Sequence, residues 1–234
     1  MDFDAIMTQV VALGAPVLCA DTCSILDVMR DPTRDEAQLQ NASAAIDLVT
    51  KMGVIGGFEC LIAHQVTKEL ADHLEPVQEE TKKQLAKLTE RIKRVNAIAA
   101  LFGPKATLNL AHLLGHEVRA RGIVDQWIGA AKVINPNHDL IAGRAFARVS
   151  VPKAPAKQGK DSIKDCVVIE TYLDAVRTLR AAGLSSKIVF LSSNTKDYTN
   201  NQTNKLHDDL SPEFQTLNIE YAPNAGAAKY LLGL

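Results

Sequence analysis

The chemistry-bearing residues that stand out first are the two carboxylates of Lys160-Asp161-Ser162-Ile163-Lys164-Asp165. Four residues apart at the head of an apolar run, Asp161 and Asp165 fall one turn above each other on one face of a helix. Ser162 with Asp165 three residues on has the form of a capping box. Like charges at this spacing repel by roughly 0.2–0.5 kcal/mol in an exposed helix, and the positive end of the helix offsets part of that. Two readings stand at this point. One makes the pair a cap and a dipole partner; the other makes it two hard-oxygen ligands, half of a magnesium or manganese site.

Other parts of the chain supply candidates for the second half. Val17-Leu18-Cys19-Ala20 is a short apolar strand running into Asp21, and open α/β sheets hold their ligands at the carboxyl ends of strands. Taken alone, Asp21 is as well explained as the cap of the next helix. A second strand, Phe58–Ala63, passes into a helix carrying Glu69 one or two turns in, either pointing back to the sheet edge or solvated. The polar stretch Ser193-Asn194-Thr195-Lys196-Asp197-Tyr198 follows a third apolar strand, 187–192, of the buried parallel type.

The elements that must position these residues alternate. Helices are expected over about 3–13, 36–52, 162–182 and at the C-terminus, with a last strand over 218–221. Strand–helix alternation predicts a parallel sheet covered on both faces. Residues 75–132 read as helical throughout with a break at Gly103-Pro104, so the chain is expected to be one domain, 1–234, with a helical insertion at about 75–132. Lys82, Lys83, Lys87, Arg91, Lys93 and Arg94 make that arm basic, as a solvated helix face or as a phosphate clamp. His112 and His116 have helical metal-pair spacing but no HExxH glutamate between them.

Residues 142–160 read as a loop in which Arg144, Arg148, Lys153, Lys157 and Lys160 have no acidic neighbour. A basic segment emptying onto Asp161 suits a phosphodiester substrate, drawn in by charge and handed to a metal.

Bulk properties narrow the class. A formal net charge of −1 over 234 residues neither favours nor excludes nucleic acid, because distribution matters more than the sum. No basic segment precedes an apolar one at the N-terminus and no apolar run reaches membrane-spanning length, so a cytoplasmic protein without a membrane partner is expected. Cys19, Cys23, Cys60 and Cys166 form no CxxC pair and read as reduced core cysteines, which argues against zinc.

Four segments in order resemble the motifs of the PIN-domain nucleases. Ala20-Asp21-Thr22-Cys23-Ser24-Ile25-Leu26 resembles the opening strand and turn, and Val66-Thr67-Lys68-Glu69-Leu70 the second motif. Asp165-Cys166-Val167-Val168-Ile169-Glu170 resembles the third, with Asp161 an extra acid of a PIN-like branch, and 189–198 the fourth. The resemblance implies a three-layer α/β/α fold with a central parallel sheet and Mg²⁺ or Mn²⁺ held by Asp21, Glu69, Asp161, Asp165 and Asp197. It implies hydrolysis of phosphodiester bonds, in RNA more than DNA, by an activated water rather than a side-chain nucleophile. Ser24, Ser193 and Asn194 would orient ligands or touch a phosphate oxygen, and a homodimer or an antitoxin-like inhibitor are the expected protein partners. The family's usual fourth-motif aspartate falls on Thr195, leaving Asp197 or Asn194 to substitute and keeping open a scaffold that binds nucleic acid or a partner without cutting. A haloacid dehalogenase-type phosphatase also begins strand-Asp, but its second aspartate would fall on Cys23.

Overall fold

The structure, a computed structural model, describes residues 2–103, 108–157, 162–200, 203 and 205–234. Lys160 and Asp161, both singled out above, lie outside the described residues. Five strands, β1 (Val17–Ala20), β2 (Glu59–Ala63), β3 (Lys132–Ile134), β4 (Ile188–Leu191) and β5 (Ile219–Ala222), form one sheet in the order β3-β2-β1-β4-β5. Every pairing is parallel. β1 and β4 are buried at every position, as expected of strands covered on both faces.

The helices are α1 (Phe3–Leu13), α2 (Thr22–Leu26), α3 (Leu39–Lys51), α4 (His64–Ala99), α5 (His116–Ala130), α6 (His138–Ser150), α7 (Ile163–Ala181), α8 (Thr195–Tyr198), α9 (Ser211–Leu217) and α10 (Ala225–Leu232). α7 packs with α1, α6 and α9 in one layer, while α10 packs on β4 and β5 and against α3 in the other. The result is a three-layer α/β/α fold. No helix among the described residues is long and apolar enough to cross a membrane.

Tyr172 shows how side chains fix the layers. Its hydroxyl, carried by α7, donates to Ala20 O at 2.5 Å and accepts from Ala63 N at 3.0 Å. One buried group thus satisfies backbone atoms at the ends of β1 and β2, where the sheet ladder runs out.

Three expectations need correcting. The stretch 75–132 is not helical throughout: α4 ends at Ala99, a 3₁₀ turn covers Ala111–Leu113, and Lys132 opens an edge strand. α5 also buries Ala120, Val124 and Trp127 in the main core, so this stretch is more than an arm. Residues 138–150 form α6 rather than the start of a basic loop, because Asn137 Oδ1 accepts from the backbone N–H groups of Asp139 and Leu140 and caps it. Finally, Ser162 makes no side-chain cap bond; its buried hydroxyl has no partner among the described residues.

Candidate active site

In a sheet of order 3-2-1-4-5 the chain changes direction between β1 and β4, and the crevice beyond their carboxyl ends is the usual ligand position in such folds. Ala20 pairs with Leu191 as the last register position there, and the next residues are Asp21 and Ser192. Asp21 N donates to Leu191 O at 2.9 Å, continuing the ladder one step.

Asp21 is almost wholly buried. Its Oδ1 accepts from Thr22 N at 2.8 Å, while Oδ2 accepts from Ser192 Oγ at 2.6 Å and from Cys23 Sγ at 3.3 Å. Asp21 is therefore the cap of α2, and it stands where β1 ends beside β4. Burial drives its pKa above the ordinary carboxylate value; the Ser192 and Cys23 hydrogen bonds oppose that, and the charge of Glu69 adds to it. Burial and the adjacent Asp21 charge push the Cys23 thiol to about 12, so it serves here as a donor and not as a nucleophile.

Glu69 lies on α4 at the same edge. Thr22 Oγ1 donates to its Oε2 at 2.6 Å and Gln65 Nε2 to its Oε1 at 3.1 Å. Thr22 thus joins the first acid to the second, its own N–H on Asp21 and its hydroxyl on Glu69.

Asp197, in α8, is buried, whereas Thr195 is exposed. Asn194 Nδ2 donates to Asp197 Oδ2 at 2.8 Å, and Lys157 Nζ lies 3.1 Å from its Oδ1. Asp165 sits half-buried in the first turn of α7. Burial first, then the charges of Asp21 and Asp165, raise the Tyr198 hydroxyl well above the usual tyrosine range. It is fully buried with no hydrogen-bond partner among the described residues. A buried hydroxyl without a protein partner is a polar group that an ordered water or ion would satisfy.

Among the described residues no three His, Cys, Asp or Glu side chains form a ready-made metal cluster. Carboxylates are carried at this edge by α4, α7, α8 and the end of β1, and hard oxygens of this kind are the donors that a magnesium or manganese ion takes.

The residues chosen as substrate contacts divide. Ser24 Oγ accepts from Ser193 N at 2.8 Å, which ties α2 to the turn after β4. Lys153 is exposed and Lys157 reaches Asp197. Arg144 and Arg148 are elsewhere. Arg144 pairs with Asp174 at 2.6 Å. Arg148 is buried in α6, with Nη2 2.6 Å from Glu170 and 2.8 Å from Glu213 and Nη1 on Ala154 O. An arginine committed to two carboxylates and a carbonyl holds α6, α7 and α9 together and has no donors directed at a phosphate. Sequence reasoning passed over Thr22, Ser192 and Tyr198. The one available signal was position, since Ser192 directly follows an apolar strand and Thr22 stands two residues past one.

A family profile described as PIN domain matches residues 18–198, well over half of the chain. No curated protein and no solved structure matches the chain significantly.

Proposed function

Since the chain belongs to the PIN domain family, we propose that it is a divalent-metal-dependent nuclease hydrolysing phosphodiester bonds, with RNA as the substrate that the resemblance implies. The observation that supports this most is the buried Asp21 at the switch point, held by Thr22 and Ser192 and joined through Thr22 to Glu69. In this reading Asp21, Glu69, Asp165 and Asp197, with Asp161 from outside the described residues, hold Mg²⁺ or Mn²⁺. Such an ion, when bound, supplies an activated water and relieves the leaving oxygen of charge.

The chain's own residues do the remaining work. Ser192, Thr22 and Gln65 fix the carboxylates before any ligand arrives, so little reorganisation is left for the reaction. Ser24 holds the Ser193 backbone and Asn194 holds Asp197, which sets the shape of the turn a phosphate would approach. A cytoplasmic setting, and a second copy or an antitoxin-like inhibitor as protein partner, complete the proposal.

A second reading, binding without cleavage, draws on one observation: Lys157 already neutralises Asp197. Incubating the purified full chain with end-labelled single-stranded RNA and DNA separates the two. Cleavage is expected with Mg²⁺ or Mn²⁺ and not with EDTA, and Asp21→Asn is expected to lose at least about a hundredfold in rate. Cleavage undiminished by EDTA overturns the metal-dependent reading; binding without cleavage at any metal concentration favours the scaffold.

A further inference from the structure

Directly beside the acidic site, a cavity of about 790 Å³ opens between the residues that follow α2, the start of α3, His116 and the turn before α10. Ser24 and Ser193 belong to its wall, so it is continuous with the turn that frames Asp21. Its volume lies within the usual range for small-ligand pockets.

Its chemistry is not that of a phosphate site. Arg30 and Arg34 line it, but both guanidinium groups turn to Asp27, at 3.1 and 3.5 Å, and Arg34 also donates to the carbonyls of Asp27 and Asp31. With Glu36 also in the wall, two arginines stand against two carboxylates there, and the arginines contribute planar groups to the lining. His116, half-buried, adds a third plane. Gln38 and Asn41 add amides: Asn41 Nδ2 donates to Gln38 Oε1 at 3.2 Å, which leaves a donor at Gln38 Nε2 and an acceptor at Asn41 Oδ1. Planes for stacking with a donor and an acceptor beside them are what an unstacked nucleobase requires.

We infer that this cavity is a nucleobase subsite: it takes a base of single-stranded nucleic acid next to the phosphate held at the acidic edge, and it sets sequence preference at that position. The inference rests on the nuclease reading, but base binding does not require metal or turnover.

The test titrates the four nucleoside monophosphates, and then short single-stranded oligonucleotides, into the full chain with EDTA present, following backbone amide shifts. Saturable shifts are expected at Gln38, Asn41 and His116, with one base preferred over the others and the oligonucleotide tighter than the mononucleotide. His116→Ala is expected to weaken binding by about 5- to 150-fold, the usual worth of one stacking surface. Asn41→Ala should flatten the base preference. Shifts confined to the acidic edge, or equal binding of all four bases untouched by both variants, overturn the subsite. Should RNA be cut while no nucleotide perturbs the cavity, the subsite fails and the nuclease reading stands. Should nucleotides fill the cavity while nothing is cut, the reverse holds.

Discussion

Asp21 is a carboxylate that the fold buries and then surrounds with hydroxyl, thiol and amide donors. Because burial outweighs those donors, its pKa lies above the ordinary value of 3.8, so the folded chain keeps this proton to higher pH than the unfolded chain. The unfolded state then binds fewer protons in the window above 3.8, and stability falls as pH rises through it. In EDTA, the melting temperature of the wild type is therefore expected to decline from about pH 4 upward more steeply than that of Asp21→Asn, and Mn²⁺ at neutral pH should raise only the wild type. Parallel profiles would show that Asp21 carries no such strain. The fourth motif gives a second test. Thr195 is exposed and Asp197 is buried, so Thr195→Asp places its new carboxylate toward solvent and should leave metal affinity within about twofold. Asp197→Asn should weaken it by roughly 10–100-fold, measured by metal titration against activity.

At the level of elements, the site is only as firm as α7. Tyr172→Phe removes the hydroxyl shared by Ala20 and Ala63 and strands a buried N–H, which should cost about 1–3 kcal/mol in chemical denaturation. Arg148→Ala leaves Glu170 buried without its counter-charge and should cost about 3–5 kcal/mol, a melting drop of roughly 10 °C. An unchanged melting temperature would mean that Glu170 finds other partners. These two residues mark the limit of sequence reading. Apolar strands and helix periods are local patterns, so β1, β2, β4, β5 and α1 were legible to within a residue or two, and so were Asp21 and Glu69 as candidates. β3 was not, because three residues opening with Lys132, at a sheet edge, carry no apolar run. Arg148 looked like a free cation because Glu170 and Glu213, its partners, stand 22 and 65 residues away in the chain. Tyr172 likewise works over distance, its partners Ala63 and Ala20 standing 109 and 152 residues away in the chain.

Across the whole molecule, charge is distributed unevenly and much of it is already paired. Lys153 is exposed, whereas Arg144 and Arg148 are held by carboxylates. Lys153→Gln should therefore lower the salt slope of single-stranded nucleic acid binding by about 0.7, and Arg144→Gln should leave it unchanged. Equal slopes for all three proteins would remove this segment from the interface. The order of the sheet has an effect of another kind. Asp21 precedes most of the chain it depends on: the hydroxyl that fixes it belongs to Ser192, 171 positions later, and Asp197 follows that. Parallel pairing of β1 with β4 has to await the whole intervening chain, which makes it a slow, long-range closure. A nascent chain that stops short of Ser192 thus carries Asp21 and Glu69 without the hydroxyl that holds the first of them in place.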